Sequence, residues 1–436
     1  MNAPGTDAPD TRSRRERWAM PIVFVTMLID FAGYTLLVPL LPTFAKKLHA
    51  TPFEIGLIVT VYALTQLIFL PLWGWASDRL GRRPAILGSL AGTTIAYGVL
   101  IYAVHIESMT WVYLSRVMAG FFAASLGTAQ AVVTDLTPPS QRARGMGVLG
   151  AAMGIGFVIG PALGGILGKD DIRIPFAFVM LVSSLNFSAA FFMLPESRAG
   201  DRAPWRAREL VRLLVPTPVR VLLADHGRRV GIYLYLFFHL FAAFAVLESM
   251  FALFLLDRFD ADARAAGFVF AWIGIWMALT QGWLLGRLSP LAGEWNLAIG
   301  GLFIQAAGMA VIPFLHSLDG IYLLAPVVAI GNGLSFPSLA SLYSKACKTG
   351  QAGELLAQSQ SMITTGRIVG PMWGGYTMGN FGGWLAPRLP EGMRIGGLEP
   401  EVFSLGACFL IAGLLTLVAI VILVAARSTL QPDRLE

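Results

Sequence analysis

Asp30, Arg116, Glu248 and Arg367 stand inside long uncharged runs of this 436-residue chain, with His239 as a titratable fifth. A charge at hydrocarbon depth is costly, so each is a functional candidate by default. Asp30 lies about eleven residues into its run, near the midplane at about 1.5 Å of rise per residue, and shares a helical face with Gly33, Tyr34 and Leu37. Burial and neighbouring charge set the proton affinity of a carboxyl, which makes Asp30 the candidate proton-coupling group. Arg116 is the candidate that orients it or meets an anionic part of a substrate; Gly120, Ala123 and Gly127 follow it as a smooth strip that lets other helices approach. Imidazole titrates near neutrality, so His239 reads as a proton relay or as a hydrogen-bonding link to a neighbouring helix. Glu248, nine residues further on, faces roughly the other way and is expected nearer the outer surface, coupling protons, binding a cationic group or gating. Arg367 lies in a glycine-rich strip and reads equally as functional or as part of a helix contact.

The elements that must position these residues follow from composition. The chain is 56% hydrophobic and 13% charged, about half the charge of a soluble protein. Disorder, a disulfide scaffold and a soluble enzyme are thereby disfavoured, and the long unbroken apolar runs lack the alternation of a membrane β-barrel. Ten runs free of Asp, Glu, Lys and Arg, plus two interrupted by Asp30 and by Arg367, give twelve spans, each about long enough to cross a bilayer. The resulting division is a tail at 1–17, a six-helix bundle at 18–195, a basic linker at 196–229, a second six-helix bundle at 230–426 and a tail at 427–436. Placing the first tail in the cytoplasm puts 22 Lys and Arg on cytoplasmic segments and 8 on the opposite loops. The positive-inside rule therefore predicts that both termini are cytoplasmic. The net charge of +6 is thus an orientation signal, and no nucleic-acid partner is expected. Ser13-Arg14-Arg15 reads as an orienting cluster before an uncleaved span. Cys347 and Cys408 fall near opposite faces, and the five histidines lack metal-ligand spacing, so no disulfide or metal site is expected.

The chain repeats itself at an offset of about 210 residues. Gly156-x-x-x-Gly160-Pro161-x-x-Gly164-Gly165 in span five matches Gly366-x-x-x-Gly370-Pro371-x-x-Gly374-Gly375 in span eleven, and Asp30 falls opposite His239. Glycines spaced by four form a flat ridge for close helix packing, and proline loosens the helix there; a sliding contact between the halves is the expected use. After span two comes Gly74-x-x-x-Asp78-Arg79-x-Gly81-Arg82-Arg83. Asp78 is expected to meet the N-terminus of span eleven, where a helix dipole favours a carboxylate. Arg82 or Arg83 is expected to pair with Asp135 or Glu354, closing the cytoplasmic side.

These motifs resemble those of the major facilitator superfamily over essentially the whole chain. Asp30-x-x-Gly33 followed by Pro39 and Pro42, and Arg116 followed by Gly120, are similar to motifs of its drug:proton antiporter branch. Gly81-Arg82-Arg83-Pro84 before Ser89-Leu90-Ala91-Gly92, Arg142-Ala143-Arg144 and Gly293-Glu294 resemble tetracycline exporters. Acidic residues of that family fall where this chain reads Ala96-Tyr97 and Gln305. The resemblance implies an all-α membrane protein with twelve transmembrane helices in two pseudo-symmetric bundles, and proton-coupled antiport of a small amphipathic compound. It implies a monomeric inner-membrane protein whose partners are lipids, protons and a small molecule, with no cofactor beyond the proton gradient. Tyr34, Arg116, Trp276 and Gln305 are the expected substrate cavity. The rivals are a same-fold transporter of a metabolite, siderophore or lysolipid, and a non-transporting receptor or scaffold.

Overall fold

The computed structural model describes residues 14–123, 125–137, 142–197, 227–346, 352–390, 393–396 and 398–430. Most of the expected linker, 198–226, lies outside them. The first half comprises α1 (Arg14–Leu36), α2 (Pro52–Leu80), α3 (Arg82–His105), α4 (Met109–Phe122, continued as Ser125–Leu136), α5 (Arg142–Leu167) and α6 (Arg173–Met193). The second begins with α7 (Gly227–Phe259) and α8 (Ala263–Leu279). A π-helical turn, Thr280–Leu284, leads from α8 into the stretch Leu285–Val311. Gly293 breaks that stretch with φ 74°; beyond it the chain runs back as α9 (294–311), followed by α10 (Leu318–Ala346), α11 (Ala352–Leu385) and α12 (Pro400–Ala425).

Local chemistry explains the helix ends. Thr51 and Glu54 form a reciprocal capping box at the start of α2, with Pro52 at its first position, satisfying amides that no helical carbonyl can reach. Asp262 caps α8 by accepting from the Ala265 amide at 2.8 Å. Ten stretches of the described residues are long and apolar enough to span a bilayer. One of them, 263–314, contains two passes, and α11, rich in Gly, Ser, Thr and Gln, supplies the twelfth at lower hydropathy. An even number of passes brings α1 and α12 to the same face, here the terminal face; the other is the distal face.

Within the first half α1 packs on α5, and α3 packs on α4 and α6; within the second α7 packs on α11, and α9 packs on α10 and α12. The halves meet along α2–α11 and α5–α8. The hydrophobic core shows how they meet. Near the distal face one continuous cluster joins Phe44 and Phe176 of the first half to Phe251, Phe254, Phe270 and Phe409 of the second. Toward the terminal face the core divides into two, one around Ile86, Leu90, Val133 and Leu149, the other around Tyr233, Phe237, Trp295 and Tyr343. Gly74, Gly150, Gly154, Gly282 and Gly286, all on the terminal half of α2, α5 or the α8 extension, face open space. The molecule is closed distally and open at the terminal face.

Candidate functional site

Where the bundles meet at mid-depth, side chains from α1, α2, α3, α4, α7 and α11 converge. Tyr34, one turn beyond Asp30 on α1, carries the guanidinium of Arg367 from α11 over its ring at 4.6 Å. Its ring also lies 5.2 Å from that of Tyr62 on α2. Glu248 of α7 is buried at 5% exposure and bears on both Arg367 and Tyr34. Arg116 of α4, 3% exposed, lies 5.7 Å from the ring of Tyr97 on α3. Asp30 has the hydroxyl of Ser125 as its hydrogen-bonding neighbour. Tyr62 feels all four charges, Asp30, Arg116, Glu248 and Arg367, and so sits in their midst.

Why the chain folds this way locally is legible in small residues. Gly33 leaves room for the Tyr97 hydroxyl, which lies 2.7 Å from where a Cβ would stand. Gly120 lets α4 rest directly on the α2 backbone at Tyr62, again leaving no room for a Cβ. Beyond it α4 leaves helical geometry at Ala123, with ψ 53°, and Ser125 restarts the helix beside Asp30. The cluster is under-satisfied: Asp30 Oδ2 and Arg116 Nη2 are buried without hydrogen-bond partners. Buried polar atoms in proteins are nearly always paired, with protein, water or ligand. A set of two carboxylates, two guanidiniums and three phenols that is incompletely paired has hydrogen-bonding capacity left over for a small polar-faced molecule.

Several sequence expectations are relocated. Arg116 has Ser115, at 3.3 Å, and Tyr97 as its neighbours rather than Asp30, and Tyr62 and Tyr97 each interact with both charges. Glu248 is not near the outer surface but at the centre. Arg367, left open between function and packing, reaches across to the other half; its neighbour Gly366 does the packing, against Phe238 and Ala242 of α7. His239 bonds Thr416 of α12 at 3.1 Å and stacks on Tyr235, a link inside its own bundle. Gln305 is fully buried on the α9–α10 seam against Gly331, and Trp276 stands edge-on to Trp272. Tyr62, Tyr97 and Ser125 were missed as site residues. The only sequence signal for them was a polar group inside an uncharged run, and many such residues merely bond their own helix backbone.

The glycine runs are also corrected. Gly156, Gly160 and Gly164 pack on Phe31, Ala32 and Leu36 of α1, inside one half, where Thr35 also donates to the Gly156 carbonyl at 3.2 Å. The contact between halves is made by their companions: Gly165 and the Pro161 carbonyl meet Ala263, Arg264 and Gly267 of α8. Likewise Gly370 packs on Ala242 and Ala245 of α7, while Pro371 and Gly375 meet Gly56 and Pro52 of α2. Thr60 donates to the Ile368 carbonyl across the same seam at 3.0 Å.

At the terminal face Arg82 bridges Asp78 at 2.7 Å and Asp135 at 3.1 Å, and also donates to Ser77. All four belong to the first half, so this clasp persists with the terminal end open and does not itself close it. Gly81, at φ 112°, brings the Arg82 and Arg83 amides onto the Glu196 carboxylate. The Arg83 guanidinium donates to the Phe191 carbonyl, and Arg79 lies over Trp75. The Glu354 side chain lies outside the described residues.

The Major Facilitator Superfamily profile matches residues 23–371. Tetracycline resistance protein class C of Escherichia coli is 29% identical over 359 residues, covering 81% of this chain and 88% of that protein. Major facilitator superfamily domain-containing protein 10 of Mus musculus is 27% identical, covering 84% and 89%. The crystal structure of the human organic anion transporter MFSD10 (TETRAN) superposes with TM-score 0.67 at 25% identity, covering 96% of this chain and all of that one. An inward-facing, unoccupied bacterial homologue of the human lysosomal transporter Spinster gives 0.77 at 16% identity, covering 97% and 99%, and speaks for the fold. With its two bundles meeting around a buried charged site, the chain belongs to the Major Facilitator Superfamily and is a multi-pass membrane transporter.

Proposed function

We propose that this chain is a proton-driven exporter of a small amphipathic organic compound, seated in the inner membrane with both termini in the cytoplasm. The observation that carries the reading is the mid-depth cluster: Asp30 and Arg116 from one half, Glu248 and Arg367 from the other, joined through Tyr34 and Tyr62. On this orientation the structure is inward-facing, and substrate enters from the terminal side. A substrate group that takes the place of a proton at Asp30 expels it, and by reciprocity a proton arriving from outside expels the substrate. Arg367 on Tyr34 lets either event bear on the contact between bundles, so that binding biases one closure over the other. The proton gradient is the energy source, one charge crossing 100 mV being worth about 2.3 kcal/mol. No cofactor enters the cycle.

The printed names of the relatives offer two substrate classes, tetracyclines and organic anions. The unpaired Nη2 of buried Arg116 favours a compound bearing an acidic group. The test is substrate-dependent proton release from energised everted vesicles, with a panel of tetracyclines, aromatic acids and aromatic cations. Release driven by at least one compound and lost in Asp30→Asn supports the reading; substrate accumulation indifferent to an uncoupler defeats it. Orientation is checked separately with Lys169→Cys, which an impermeant thiol reagent should label from outside intact cells.

A further inference from the structure

The distal end carries a groove apart from the charged cluster. Phe268, Trp272 and Ile275 of α8 and Asp319, Tyr322 and Leu323 of α10 line a laterally open groove of about 630 Å³. Trp272 Nε1 donates to the Tyr322 carbonyl at 3.1 Å, tying its two walls together. Leu323 is 81% exposed and Phe268 and Ile275 each 39%, so the groove opens away from the protein, toward the hydrocarbon. From Phe268 to Ile275 it runs along about 10 Å of helix, roughly a third of the hydrocarbon thickness. An acyl chain fits such a surface.

The mouth narrows the choice of head group. Asp319, in the first turn of α10, is its acidic wall. Arg264, in the first turn of α8, lies with its guanidinium 5.7 Å from the ring of Phe268, a groove residue. A cation and an anion thus stand at the distal ends of α8 and α10 beside one apolar trough. We propose that this groove is a binding site for one outer-leaflet phospholipid with a primary-amine head group: phosphate toward Arg264, ammonium toward Asp319, one acyl chain between α8 and α10. A quaternary ammonium has no N–H to give a carboxylate, and a glycerol head group has no charge to offer it, so phosphatidylethanolamine should be preferred over phosphatidylcholine and phosphatidylglycerol.

The test is intact-complex mass spectrometry of the purified full-length chain in micelles doped equally with those three lipids. The wild type should retain phosphatidylethanolamine about fivefold over phosphatidylcholine, the scale of one interfacial charge contact. Asp319→Asn should erase that preference and admit phosphatidylglycerol. Arg264→Gln should weaken all three lipids, and Leu323→Trp, which fills the trough, should displace all three without changing the unfolding temperature. Equal retention of the three lipids by the wild type, or a preference unchanged in Asp319→Asn and Leu323→Trp, overturns the proposal. Neither charged residue belongs to the transport cluster, so failure here leaves the exporter reading untouched.

Discussion

Arg367 of α11 lies over the ring of Tyr34 on α1, its guanidinium carbon 4.6 Å from the ring centroid, so that one stacked pair joins the two bundles at mid-depth. A planar guanidinium stacks on a ring face as an ammonium cannot. Arg367→Lys should therefore cut transport about threefold to thirtyfold, matching the roughly 0.5–2 kcal/mol of such a contact. Thermal unfolding should scarcely change. Full transport by the lysine variant in proteoliposomes would show that only the charge matters.

Asp30→Asn should abolish substrate-driven proton release while leaving equilibrium binding within a fewfold of wild type, because the amide resembles the protonated carboxyl. Ser125→Ala should have a smaller effect in the same direction, since it removes one hydrogen-bonding neighbour and leaves the acid in place. Proton release in detergent measures both. If Glu248→Gln loses the release and Asp30→Asn keeps it, coupling resides in the second bundle.

Gly56→Ala should open the distal face. Its Cβ would meet the Pro371 carbonyl on the opposing bundle, with the carbonyl carbon 2.9 Å away, and backbone cannot yield cheaply. Spin labels on the distal ends of α2 and α11 should report longer distances than in the wild type. Gly156→Ala meets only α1 of its own half, Phe31 Cβ at 2.9 Å. It should instead lower stability by about 1–3 kcal/mol, the usual cost of overpacking, without moving that distance.

His239→Gln should retain proton coupling and lose about 1 kcal/mol of stability at most, the scale of one buried hydrogen bond, since its partner is Thr416. A thermal unfolding series and the same proton-release assay separate the two roles. Lost coupling with unchanged stability would restore the proton relay.

Arg82→Lys should impair transport more than folding. Its two partners are partly solvated, Asp78 at 57% and Asp135 at 26% side-chain exposure, and such pairs contribute about 0–1 kcal/mol. One ammonium, however, cannot hold Asp78 and Asp135 in the fork geometry that aligns the loop after α2. Wild-type transport rates in the lysine variant would remove the clasp from the cycle.

Twelve passes and the existence of two repeats were readable from the sequence. Both are properties of hydropathy and spacing along one chain, and a bilayer admits few other solutions. Asp30, Arg116, Glu248 and Arg367 could be picked out for the same reason: charge inside an apolar run is visible without coordinates. Which of them meet was not. Arg367 and Tyr34 are 333 positions apart in the chain, and whether the arginine points into its glycine seam or across to α1 depends on the rotation of α11, which packing against α7 fixes. The same holds for the glycine runs. Their spacing announces a flat helix face, but only the assembled bundles decide that Gly156 and Gly160 serve α1 while Gly165 serves α8. Periodicity specifies the face of a helix, and tertiary contacts choose its neighbour.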